Sequence, residues 1–294
     1  MTPSTVANSG SVAPVSLVTP WSAAMGMRAP IVNAPMGGAA GGRLASAVTA
    51  AGGLGMLGMG SAATAEVLRR EIGLAQGRFG VGLVHWVMAE RPELLDIALA
   101  AQPALLSVSF GTDFGWVQRA HDAGVTTATQ VASVEAARRA QDAGVDVLVA
   151  RGAEGGGHGE PLLGTLPLLT GVLDAVEVPV LAAGGIGSAR GVAAVLAAGA
   201  AAAWIGTLFA ACPQALTSEA ARAELLGGQD TELTSAHDIA AGYRWPAGIP
   251  ERVLRGSPVN AGQGVGQVRQ SVDAGELVAT LSAGAEELLR GPLG

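Results

Sequence analysis

Residues 134–150 read Val-Glu-Ala-Ala-Arg-Arg-Ala-Gln-Asp-Ala-Gly-Val-Asp-Val-Leu-Val-Ala, and this stretch holds the unit from which the chain is built. Val134–Ala143 has helical spacing, Gly144 follows as a stop, and Val147–Ala150 is short and apolar throughout. Glycine just past a helix end takes the left-handed conformation that closes the helix. A continuous apolar run is what a parallel strand buried on both faces requires. The same stop followed by an apolar run recurs at Ala51-Gly52-Gly53-Leu54, Asp122-Ala123-Gly124-Val125 and Ala198-Gly199-Ala200.

Extending the unit in both directions gives strands at Ile31–Ala34, Leu54–Leu57, Phe79–Val84, Leu105–Ser109, Thr126–Thr129, Val147–Ala150, Val180–Ala183 and Ala202–Ile205. Helical segments such as Glu66–Leu74, Leu94–Ala101, Val117–Ala123 and Leu166–Ala175 lie between them. Eight strands alternating with helices, about 20–33 residues apart, predict an α/β fold of the (β/α)8 TIM-barrel type. A doubly wound sheet is the rival, but it does not need eight units, and no GxGxxG follows the first strand. From Cys212 the rhythm breaks into short polar helices and a Trp245-Pro246-Ala247-Gly248 turn, and a final helix runs from Asp273 to Arg290. The expected division is therefore a tail (1–27), the barrel (28–211), a small helical insertion over the barrel mouth after strand eight (212–256), and a closing loop with the last barrel helix (257–294).

Composition narrows the chemistry. The 294 residues carry 17 basic and 24 acidic side chains, a formal net charge of 17 − 24 = −7, and every basic one is arginine. Without lysine there is no Schiff-base, P-loop or Ser-x-x-Lys mechanism. An acidic chain with 14% charged residues lacks the basic face that nucleic acid needs. The single cysteine, Cys212, excludes a disulfide framework and is expected to pack rather than react. Four histidines (His85, His121, His158, His237), none spaced as a metal pair, give no expectation of a metal.

No charge precedes Arg28 and no compact apolar run follows the start, so the N-terminus reads as a loose tail on a cytoplasmic protein. The charge-free stretch Gly191–Leu216 is long enough to span a bilayer, but Gly199 interrupts it. A buried helix, a glycine stop and strand Ala202–Ile205 are expected there, and no membrane contact. The apolar content leaves a homodimer open.

In a barrel the working residues lie where strands end and the following loops begin. Three glycine-rich loops occupy such positions: Ala34-Pro35-Met36-Gly37-Gly38, Ala183-Gly184-Gly185-Ile186-Gly187 and Ile205-Gly206-Thr207. The last two follow strands seven and eight, where barrels commonly hold a phosphate on backbone N–H groups, and Thr207 adds a hydroxyl. After strand six comes Gly152-Ala153-Glu154-Gly155-Gly156-Gly157-His158-Gly159. Three glycines in a row clear side chains from a surface against which a flat molecule can lie, and they present His158 at the barrel mouth. Histidine is suited to proton transfer near neutrality, so His158 is the catalytic candidate. His85, beside Trp86, is as well explained by a structural role; His121 falls on a helix pattern, and His237 lies in the insertion.

Taken in order, Asn33-Ala-Pro-Met-Gly-Gly38, Ala50-Ala-Gly-Gly-Leu-Gly55, Gln130-Val131, Gly152-Ala-Glu-Gly-Gly-Gly-His158-Gly159, Ala182-Ala-Gly-Gly-Ile186 and Ile205-Gly-Thr207 resemble the nitronate monooxygenase family. These FMN-dependent barrels, formerly called 2-nitropropane dioxygenases, are related to flavin-dependent enoyl-reductases, and the resemblance spans residues 28–292. It implies FMN as cofactor. Met36 and Gly37 would contact the isoalloxazine through backbone groups, and Gln130 would face its pyrimidine. Gly156 and Gly157 would lie near the ring, and Gly184, Gly185, Gly206 and Thr207 would hold the phosphate. His158 matches the family's active-site histidine.

The chain departs from the family pattern at Arg151 (usually Gln or Asp), at Gly155 (usually Ala, which predicts a more mobile loop), at Val81-Gly82-Leu83 and at Leu208-Phe209. The implied reaction is oxidation of an alkyl nitronate, a small-molecule substrate, by dioxygen to a carbonyl compound and nitrite. An NAD(P)H-dependent reductase of an enoyl thioester or quinone on the same barrel is the alternative. A phosphate-binding barrel without flavin is a third reading, and the cleared surface before His158 counts against it.

Overall fold

The computed structural model describes residues 17–291. Eight parallel strands form its frame: β1 (Ile31–Asn33), β2 (Gly55–Met59), β3 (Phe79–Val84), β4 (Leu105–Ser109), β5 (Thr127–Val131), β6 (Val147–Arg151), β7 (Val180–Ala183) and β8 (Ala202–Ile205). Each pairs with the next in sequence, β8 pairs with β1, and a parallel bridge between Val32 and Leu54 closes the ring. That last seam is thin, and buried Asn33 reinforces it: its amide accepts from the Met56 N–H and donates to the Met56 carbonyl, both at 2.9 Å. The expected (β/α)8 barrel is present. The predicted helix stops have the backbone they require, with φ of +101° at Gly52, +71° at Gly124, +88° at Gly144 and +103° at Gly199.

Side chains alternate across each strand, as a pleated chain demands. Val147 and Val149 of β6, with Leu181 and Ala183 of β7, fill the barrel interior beside Met56 and Trp204. Leu148 and Ala150 of β6, with Val180 and Ala182 of β7, face the helices. The charge-free stretch resolves as helix Ala189–Ala197, the stop, and β8. Among the described residues no helix is long and apolar enough to cross a membrane. Helix Ala274–Arg290 packs on Ala189–Ala197 and Gly42–Ala50, joining the end of the helical ring to its beginning. It comes so close that a Cβ on Gly284 would stand 2.8 Å from the Ala189 Cβ.

Two expectations are corrected. Residues 17–27 are not loose: Thr19 caps helix Pro20–Ala24, and Trp21, Met25 and Met27 pack into the interior cluster, closing that end of the barrel. The remainder of the expected tail, residues 1–16, lies outside the described residues. The segment after β8 contains helices, Glu219–Gly227 and Ala236–Ala241, as anticipated, but also strands Thr231–Thr234 and Glu251–Leu254. These pair antiparallel, and the second pairs again with Gly157–His158 from the loop after β6. The segment is thereby stitched to the barrel mouth by backbone hydrogen bonds.

Candidate active site

A cavity of about 950 Å³ opens at the C-terminal ends of the barrel strands. His158 and every residue that the resemblance implied for the flavin line it. Met36 and Gly37 follow β1, Gln130 belongs to β5, and Gly156, Gly157 and His158 follow β6. Gly184 and Gly185 follow β7, and Gly206 and Thr207 follow β8.

At the β7–β8 end the backbone is bent in a way that only glycine permits. Gly184 and Gly185 have φ of +114° and +66°. A Cβ on Gly184 would lie 2.6 Å from the Thr165 hydroxyl and 3.0 Å from the Gly152 carbonyl. Just beyond, Ser188 caps helix Ala189–Ala197, its hydroxyl accepting the Gly191 N–H. Thr207 accepts the Gly262 N–H at 3.0 Å, which leaves its own hydroxyl hydrogen to donate. Backbone amides, one hydroxyl and the positive end of a helix dipole make a donor set for a phosphate. Beside it the cavity walls are bare main chain at Gly37, Gly156 and Gly157, a surface on which a flat ring can lie. The residues present therefore fit a flavin nucleotide.

His158 stands at the other end. Its Nε2 lies 2.8 Å from an Asp238 carboxylate oxygen, and its ring stacks on Trp245 with centroids 3.5 Å apart and planes 5° from parallel. Trp245 is held in turn: its indole N–H donates to Ser61 at 2.9 Å, and its ring meets Phe110 and Trp86 edge-on. Burial pushes the His158 pKa below the ordinary imidazole value; the hydrogen bond and charge of Asp238 oppose that shift, and the nearby Arg151 cation reinforces it. Glu251, opposite His158 in the small sheet, is buried, and its carboxyl is raised by burial and by the Asp238 charge. His158, Asp238 and Glu251 each bring a ligand atom within 4.8 Å of the others. Within this cluster His158 and Asp238 are in direct hydrogen-bond contact.

The loop that carries His158, where Gly155 led to the expectation of greater mobility, is tethered from below by a side chain. Arg151, at the end of β6 and 5% exposed, turns beneath it, and one of its nitrogens faces the carbonyls of Gly155, Gly156 and Gly157 at 2.7, 3.2 and 3.0 Å. Burial brings the guanidinium down to about 10. A Cβ at residue 155 would fall 2.9 Å from Arg151 Nε and 3.0 Å from Cζ. The two departures from the family pattern are thus one feature: the glycine vacates the space that the arginine fills. Glu154 is also structural, its carboxylate capping helix Thr165–Leu173 at the Thr165 N–H and hydroxyl.

The remaining candidates fall away. His85 opens helix His85–Glu90 and packs over Gly111. His121 pairs with Asp146 at 3.0 Å on the outer surface. His237 lines the cavity beside Asp238. Cys212 is fully buried, its thiol pushed up to about 12, chiefly by burial. Asp238, Trp245 and Glu251 were not found from the sequence. Asp238 and Glu251 lie 80 or more positions from the histidine they meet and belong to no motif, and Trp245 was visible only as part of a turn.

The family model for nitronate monooxygenase matches residues 82–244, more than half of the chain and including His158. The chain belongs to the nitronate monooxygenase family. It is 31% identical over 279 residues to a nitronate monooxygenase of Pseudomonas aeruginosa, covering 78% of this chain and 79% of the relative. It is 32% identical over 255 residues to a (3aS,4S,5R,7aS)-5-hydroxy-7a-methyl-1-oxo-octahydro-1H-indene-4-carboxyl-CoA dehydrogenase of Rhodococcus jostii, covering 85% of this chain and 69% of the relative. A solved nitroalkane oxidase of Streptomyces ansochromogenes superposes with a TM-score of 0.78 at 28% identity, covering 90% of this chain and 98% of that one. This member of the nitronate monooxygenase family is accordingly a flavin-dependent oxidoreductase with a small-molecule substrate.

Proposed function

We propose that this protein oxidises alkyl nitronates with dioxygen to a carbonyl compound and nitrite, using FMN. The observation that carries the reading is the half-buried, doubly held His158 at the end of a cavity whose other end offers uncharged phosphate donors. FMN, when bound, supplies the electron transfer between nitronate and dioxygen. The protein supplies binding and proton chemistry. The amides of Gly184, Gly185 and Gly206 with the Thr207 hydroxyl would hold the phosphate. Met36, Gly37, Gly156 and Gly157 would bound the ring, and Gln130 would face its pyrimidine. His158 would take the α-proton of a neutral nitroalkane or orient the nitronate. Residues 28–211 would be the flavin-holding barrel, and the 212–256 segment, which brings Asp238 and Trp245 to the mouth, would keep water from the site.

The second reading is an NAD(P)H-dependent FMN reductase, favoured by the likeness over 85% of this chain to a protein named as a CoA dehydrogenase. An absorption spectrum taken before and after anaerobic addition of NADH, NADPH and then propyl-2-nitronate separates the two. Bleaching by nitronate alone, with oxygen consumed on reaeration, is expected. Rapid bleaching by NADH or NADPH moves the assignment to the reductase, and a protein that takes up no FMN overturns both.

A further inference from the structure

We propose that Asp238 is the positioning residue that fixes His158 in the tautomer protonated at Nε2, so that Nδ1 is the atom that accepts the substrate's proton. The inference rests on the reading of His158 as base and adds which atom acts and what sets it. A carboxylate only accepts, so the 2.8 Å contact between Asp238 and Nε2 requires the proton to lie on Nε2. In a neutral imidazole the lone pair then belongs to Nδ1.

Three further contacts hold the ring face and the backbone that carries it. Trp245 stacks on its face, the backbone at residue 158 is paired in register with Glu251, and Arg151 holds the carbonyl of residue 157. Two of these elements, with Asp238 itself, come from the segment after β8, so the barrel supplies the base and the segment supplies its orientation. The charged and titratable groups facing the imidazole are Asp238 from helix Ala236–Ala241, Glu251 from the strand alongside and Arg151 from β6, with His237 adjoining Asp238.

The chemical step balances within these residues. The α C–H bond of a nitroalkane breaks, its proton bonds to Nδ1, and its electron pair stays on the substrate as the nitronate. The resulting imidazolium keeps its Nε2–H on the Asp238 carboxylate, which gains a full ion pair as charge develops.

Asp238→Asn tests this, because the amide oxygen can still accept from Nε2 but carries no charge. With neutral nitroalkane, kcat/KM is expected to fall by about 10²-fold, the low end of what a positioned general base contributes. The acid limb of its pH profile should move to lower pH, since the group that opposes the burial shift is gone. The ratio of nitroalkane to nitronate turnover should fall at least tenfold, because nitronate needs no proton removed. Equal losses on both substrates with an unmoved pH limb would overturn the proposal.

An activity-independent measurement keeps it separable from the function assigned above. In protein labelled with ¹⁵N-histidine, the His158 resonances, assigned by their loss in His158→Gln, should report the Nε2–H tautomer. They should titrate at lower pH in Asp238→Asn. A protein inactive on both substrates but with these signals refutes the monooxygenase reading and leaves Asp238's role standing. An Nδ1–H tautomer, or a titration indifferent to Asp238→Asn, refutes the role itself.

Discussion

Replacing Gly155 with alanine should destabilise the protein only while Arg151 is present. The new Cβ would stand 2.9 Å from Nε and 3.0 Å from Cζ of a guanidinium that is buried and held by its contacts to three carbonyls, so neither partner can move without loss. Overpacking of this kind costs about 1–3 kcal/mol. Arg151→Gln alone removes the clamp. One nitrogen carries two hydrogens, so about two bonds are made at a time, each worth about 1.5–3 kcal/mol to a charged donor. Against this stands the burial of a cation whose Nη1 has no partner among the described residues, which brings the expected net loss to about 2–4 kcal/mol. In the double variant the alanine enters space the arginine has left. The combined loss should therefore fall short of the sum by about 1–2 kcal/mol, within the range for residues in contact. Urea unfolding of the flavin-loaded protein, followed by tryptophan fluorescence, measures all four corners of the cycle. Additivity within about 0.5 kcal/mol would refute the reasoning, because it would mean the guanidinium does not occupy the space that Gly155 leaves open.

Glu251→Gln should stabilise the protein at neutral pH and progressively less toward acid. Its folded pKa is raised, first by burial and then by Asp238, so the stability it lends is present below its unfolded value near 4.5 and is lost as pH rises through the folded value; urea midpoints for both proteins that stay parallel from pH 4 to 8 would contradict this. Cys212, with its thiol pushed up to about 12, should ignore a thiol reagent at pH 8 until urea unfolds the chain, and a stoichiometric reaction in the native protein would show that the site opens. Gly184→Ala meets both a forbidden φ and the Thr165 hydroxyl at 2.6 Å, so it should cut retained flavin at least tenfold on gel filtration, whereas full occupancy would mean the loop is not the phosphate cradle.

The cavity lining was legible in the sequence where it is made of backbone. Gly184, Gly185, Gly206, Gly156 and Gly157 stand out because glycine runs at strand ends have few other uses, and His158 stands out because it follows one of them. The partners that make His158 chemically particular were not legible. Asp238 sits on a six-residue helix with no motif around it, and Glu251 belongs to a strand, Glu-Arg-Val-Leu, whose charged first half reads as loop. Arg151 was visible as a departure, yet the sequence suggested a looser loop where the structure has a clamp, since one guanidinium nitrogen facing three carbonyls leaves no local pattern.

The sequence by itself determined the barrel. Helix stops, buried strands and strand-end glycines are local or periodic properties, and eight repetitions of one unit leave a parallel ring as the arrangement that buries both faces of every strand. Only the tertiary structure decided what surrounds the histidine. The contact between His158 and Asp238 joins residues 80 positions apart, and its geometry is set by an antiparallel pairing across the mouth that no periodicity announces. Strand and helix formation is dictated by neighbours along the chain, whereas the protonation and orientation of a half-buried imidazole are dictated by neighbours in space.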